Sequence, residues 1–114
     1  VSLADFQASK ALRNESFASL IIAAHQRSHA DDADRIDETW HRFFEFPDDY
    51  GFDHREAASM PEATASALLM AAYWKADSIN MLGLAHNWPL LCAETEARNA
   101  APGGRLDSDP AGVA

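Results

Sequence analysis

Hydrophobic positions are spread unevenly along the chain, and the densest run lies in its second half. From residue 63 to 93 the only formal charges are Lys75 and Asp77. Within that run the spacing predicts one long helix over 60–82. Ser59 and Glu62 stand at capping-box spacing, Pro61 falls in the first turn, and Gly83 supplies a stop. At 100° per residue Leu68, Ala72 and Ile79 share one side, Met70, Trp74 and Met81 the opposite side, and Leu69 and Tyr73 a third. A helix that is apolar on several sides is buried on several sides. Lys75 and Asp77 interrupt the run too early for a membrane span, which needs about twenty nearly uncharged residues.

The rest of the pattern is also helical. Residues 3–13 read as a first helix and 15–29 as a second, capped by Asn14, with Phe17, Leu20, Ile21 and Ala24 on one face; Leu3 and Phe6 extend the same stripe, so one continuous helix is the alternative to a break near Asn14. Residues 34–45 form the clearest amphipathic segment: Ile36, Trp40, Phe43 and Phe44 recur at helical spacing, with Asp34, Asp37, Glu38, His41 and Glu45 opposite. Phe46 and Pro47 end it. Asp48, Asp49, Tyr50 and Gly51 are turn chemistry, and Asp53 with Glu56 caps a short helix. Asn87 and Pro89 open a last helix reaching Asn99. Residues 101–114 hold three glycines and two prolines, which fits a flexible tail or docking arm. The expectation is an all-α, compact bundle of four to five helices in residues 1–100, built around a central hydrophobic helix at 60–82.

Composition and charge sharpen this picture. The chain has 114 residues, 47% of them hydrophobic, which suits one globular domain. Its net charge is −9, and residues 31–62 account for most of it, with eleven acids against Arg35, Arg42 and Arg55. Such a charge repels nucleic-acid backbones and anionic membranes, so neither is expected as a direct partner. Cys92 is the only cysteine. No intramolecular disulfide can form, and no secretory leader pattern opens the sequence, so a cytoplasmic location is expected.

Candidate chemistry is sparse. His25 and His29 lie four apart on one helical face, and Glu38 and His41 form a Glu-x-x-His pair on the next helix. Brought together in an antiparallel hairpin, His25, His29, Glu38 and His41 would offer nitrogen and oxygen ligands to a divalent metal. The plainer reading places all four on solvated faces. No Gly-rich phosphate loop, nucleophile–base arrangement or zinc-type cysteine pattern is present. Cys92 reads as a small buried hydrophobe. The acidic residues Asp34, Asp37, Glu38, Glu45, Asp48 and Asp49 would suit a basic partner, as in an acidic inhibitor or immunity-type protein, or would serve solubility.

The reading that absorbs most of these features is a non-enzymatic protein–protein interaction subunit or adaptor, oligomeric or part of a larger, phage-like assembly. Short neighbouring helices cover some sectors of the central helix. The apolar surface at Met70, Trp74, Met81, Leu84 and Trp88 is expected to be covered by a partner. The metal-binding bundle is the alternative.

Overall fold

The computed structural model describes residues 2–46, 49, 54–60 and 62–109. It is an all-α bundle, and no strand occurs among the described residues. Seven helices are present there: α1 (Leu3–Lys10), α2 (Phe17–Arg27), α3 (Ala30–Glu45), α4 (His54–Ser59), α5 (Ala65–Lys75), α6 (Ser78–Asn87) and α7 (Pro89–Ala100). A 3-10 turn, Pro102–Gly104, follows α7.

Side-chain oxygens start most of these helices. Ser2 accepts from Asp5 N–H, Ser16 from Ser19 N–H, Thr64 from Ala67 N–H and Asp77 from Asn80 N–H. Each satisfies one of the amide donors that the first turn leaves without an intrahelical acceptor. The expected break near Asn14 is therefore made by Ser16, and residues 3–29 form two helices. α3 begins four residues earlier than expected, behind His29, with Asp31 and Asp32 in its first turn.

α2 and α5 make the centre. Leu20, Ile21, Ile22, Ala23 and Ala24 on α2, and Ala67, Leu68, Met70, Ala71 and Ala72 on α5, are fully buried. α1 and α5 run parallel. At their N-terminal ends the Thr64 hydroxyl donates to Asp5 Oδ1 at 2.7 Å, and at their C-terminal ends Arg13 lies over the Trp74 ring at 4.3 Å. Ile36, Trp40 and Phe43 of α3 close another side of the core, as their spacing predicted.

The helix expected over 60–82 is divided. Thr64, not Ser59, caps it, while Pro61, like Asp48 and Asp53, lies outside the described residues. At Ala76 the backbone turns extended (φ −72°, ψ 133°) and Asp77 caps a new helix. Asp77 wins because its short carboxylate offers the Asn80 N–H an acceptor at 2.9 Å that does not depend on helical continuation. Gly83 does not stop α6; it lets α6 approach α3. A Cβ at Gly83 would stand 2.8 Å from Thr39 Cγ2 and 3.1 Å from Trp40 Cζ2. Asn87 caps nothing. It donates to Thr39 Oγ1 at 2.7 Å and to its own helix at Gly83 O, and Trp88 takes the position before Pro89.

The stretch after Ala100, expected as a tail, folds back as far as Asp109. Arg98, almost wholly buried, donates to Asp109 through two nitrogens at 2.7 and 2.8 Å, to Gly104 O at 2.8 Å and to Glu94 at 2.9 Å. Gly103 and Gly104 adopt left-handed φ values of 62° and 73°, which only glycine takes without cost. Among the described residues no helix is long and apolar enough to cross a membrane.

Candidate interaction surface

α6 carries its amphipathicity inside out. Asn80, Gly83, Leu84 and Asn87 face the protein, and Ser78, Ile79, Leu82, Ala85 and His86 face solvent. The inner contacts are mainly polar. The Trp40 indole donates to Asn80 Oδ1 at 3.0 Å, and Asn87 binds Thr39. The outer face holds Ile79 and Leu82, 80% and 71% exposed and one turn apart. Leu90, at the start of α7, is 84% exposed. α6 has no Asp, Glu, Lys or Arg, so this apolar face sits in a locally neutral part of a chain of net charge −9.

Between α3 and α6 runs an open groove of about 500 Å³, lined by Trp40, Arg42, Phe43, Ile79 and Asn80 among others. α3 kinks beside it: Trp40 has φ −123° and ψ 36°, well outside helical values. The kink serves an aromatic cluster. Trp40 meets Phe17 edge-on at 5.8 Å and stacks on Trp88 at 6.2 Å with the rings 4° from parallel. Trp88 is anchored in turn by its indole N–H, which donates to Asp32 at 3.0 Å.

The uncovered apolar surface thus lies elsewhere than the sequence pattern placed it. Met70 and Leu84 are fully buried, Met81 and Trp88 half-buried, and only Trp74, at 43% exposure, remains open. Met70 faces the protein's own core because α1, α2 and α7 all pack on α5. Ile79, Leu82 and Leu90 replace these residues. The missed signal was the Asp77-x-x-Asn80 cap, which resets the helical frame and turns residues 79 and 82 outward.

The four candidate metal ligands are not gathered. His25 Nε2 pairs with Asp37 Oδ1 at 3.0 Å, with its ring 4.6 Å from that of Phe44. His29 is exposed at the start of α3, and Glu38 and His41 project into solvent from that helix. Among the described residues no group of three or more His, Cys, Asp or Glu side chains could hold a metal ion. The acidic candidates Asp34, Glu38, Glu45 and Asp49 are exposed, and Asp37 is half-exposed beside His25.

Two other groups bear on reactivity. Burial pushes the Cys92 thiol above its ordinary pKa, so thiolate is scarce there. The Tyr73 hydroxyl is raised by partial burial and by Glu96, to which it donates at 3.3 Å. Neither is poised as a nucleophile or base. Compared with known proteins, the chain matches no family model, no curated sequence and no solved structure.

Proposed function

We propose that the chain is a non-enzymatic, self-associating helical subunit whose outer α6 face, with Leu90, forms the contact. The observation that carries this reading is the exposure of Ile79 and Leu82 on a helix that turns Asn80 and Asn87, with a single large apolar side chain, Leu84, toward the protein. Full burial of such a side chain yields about 1.5–3 kcal/mol. A second copy is the fitting occupant because α6 itself carries no Asp, Glu, Lys or Arg, so two α6 faces can meet without burying a formal charge, with the capping carboxylate of Asp77 at the edge of the contact.

Light scattering across the micromolar to near-millimolar range tests it. The wild-type chain is expected to show a concentration-dependent rise to dimer mass or above, and Ile79→Glu/Leu82→Glu to remain monomeric with unchanged circular dichroism. Both residues are exposed, so the double variant folds. A wild-type chain that stays monomeric throughout the range refutes the proposal.

A further inference from the structure

The exposed stripe of α6 is close to symmetric in position about Leu82. Ile79 and Ala85 stand three residues to either side of it, and Ser78 and His86 four residues. In size and charge the two halves differ. Large Ile79 answers small Ala85, and the N-terminal end carries a carboxylate where the C-terminal end carries an imidazole. Asp77 is exposed, and the Asn80 amide engages only its Oδ1. A carboxylate accepts several hydrogen bonds, so Oδ2 has room for another donor. The His86 side chain is exposed and makes no hydrogen bond or ion pair among the described residues.

These differences decide between the two ways a second α6 can lie along the first. In a parallel pair each residue meets its own copy: Ile79 crowds Ile79, Ala85 leaves a gap at Ala85, and two Asp77 carboxylates repel. In an antiparallel pair with its two-fold axis at Leu82, Ile79 packs on the partner's Ala85, and the Asp77–Ser78 end lies along the partner's His86. Large against small is the fit that fills an interface, and opposite ends of the two helix dipoles come side by side. We propose that the chain dimerises through antiparallel α6 helices about a two-fold axis at Leu82, the Asp77 carboxylate of each copy accepting from the His86 imidazole of the other. Such a contact is self-complementary and closes at two copies. An imidazole carries an N–H in either protonation state, so the pairing does not require a charged His86. This inference rests on the self-association reading and adds the partner's orientation and a polar contact at each end.

Cysteine pairing and a charge cycle, both on the full chain, test it. Ser78→Cys and His86→Cys, at exposed positions, are oxidised alone and mixed, at concentrations where the wild type associates. Mass spectrometry reads the linked species, with wild type as the background for buried Cys92. The mixture is expected to give the mixed disulfide in clear excess, and each variant alone to link poorly. Disulfide-linked homodimers of each variant, with no excess of the mixed species, mark a parallel pair and overturn the inference. In the cycle, His86→Lys is expected to dimerise about fivefold or more tightly than His86→Glu, because two contacts change per dimer. That gap is expected to close when Asp77→Asn removes the charge and keeps the cap. Within one chain residues 77 and 86 lie about 13 Å apart along the helix, beyond the screening length of about 8 Å, so the coupling reports the partner. A gap that survives Asp77→Asn overturns the pairing. Self-association with neither mixed disulfide nor coupling overturns the inference and leaves the apolar contact standing. A wild-type chain that is monomeric throughout overturns both.

Discussion

Asp77→Ala asks whether residues 65–87 are two helices or one. In the structure the Asp77 carboxylate accepts from Asn80 N–H at 2.9 Å, and Asn80 in turn accepts from the Trp40 indole at 3.0 Å, so the cap also holds α6 against α3. Loss of an N-cap side chain costs about 1 kcal/mol, within a range of about 0.5–2. Loss of a negative charge at the helix start adds about 0.3–1 kcal/mol at an exposed site. Together these give about 1–2 kcal/mol, and for a chain of this size each kcal/mol lowers Tm by about 3–6 °C. Alanine, however, is the best helix former, and in a continuous helix it would replace aspartate with a gain of several tenths of a kcal/mol. The two structures therefore predict opposite signs. Thermal and urea melts followed at 222 nm are expected to show a lower Tm and midpoint for Asp77→Ala, with Asp77→Ser and Asp77→Asn near wild type because both still cap. A higher Tm with greater helicity in Asp77→Ala would refute the break at Ala76.

Other consequences follow from single positions. Gly104→Ala places a Cβ 2.5 Å from the buried Phe6 ring at φ +73°, whereas Gly103→Ala meets nothing within 4 Å at φ +62°. Chemical denaturation is expected to show about 1–2 kcal/mol lost at Gly103 from backbone conformation alone and distinctly more at Gly104. Met70→Ala removes a fully buried side chain and is expected to cost about 2–5 kcal/mol, read from urea midpoints at constant m-value. Arg98 and the Leu106 amide hold the Asp109 carboxyl below its ordinary value, down to about 2. The folded state therefore binds fewer protons there than the unfolded chain. The stabilisation is fully present above the ordinary value of 3.8 and is lost as pH falls through about 2. Protease protection of the 102–109 segment is expected to persist at pH 4 and to fail near pH 2, and loss already between pH 6 and 5 would contradict the clasp.

Much of the bundle was legible because the strongest local signals agree with the tertiary packing. Ile36, Trp40 and Phe43 recur at helical spacing and are all buried, and the α2 face at Leu20, Ile21 and Ala24 behaves alike. The failures share a cause, which is a long-range contact that local spacing does not encode. The Ser59/Glu62 spacing lost to Thr64 because the Thr64 hydroxyl also reaches Asp5, fifty-nine residues away in sequence. The tail is ordered by Arg98, whose four hydrogen bonds depend on where the chain returns after Gly104. The metal set failed because His25 pairs with Asp37, a residue on the same acidic stripe as Glu38 but one position away, and so at a different angle around α3. The face at Met70, Met81, Leu84 and Trp88, expected to lie uncovered, is largely covered, because α1, α2 and α7 pack on α5 and the break at Ala76 changes which residues point outward.

That break also bears on why α6 sits as it does. Rotating α6 about its axis to bury Ile79 and Leu82 would gain about 3–5 kcal/mol from apolar area. The present orientation instead secures the Trp40–Asn80 and Thr39–Asn87 hydrogen bonds, each worth about 1 kcal/mol net, and buries Leu84, for about 2 kcal/mol more. The two orientations are therefore close in energy within a single chain, and what separates them is steric. Only Gly83 fits against Thr39 and Trp40, whereas any side chain on the inner face at that position would push α6 away from α3. A contact that covers Ile79 and Leu82 then adds their burial without giving up the inner hydrogen bonds, and it favours the observed orientation over the rotated one. On this argument Gly83→Ala moves α6 off α3 and is expected to weaken the proposed self-association, even though residue 83 lies on the face turned away from the proposed contact.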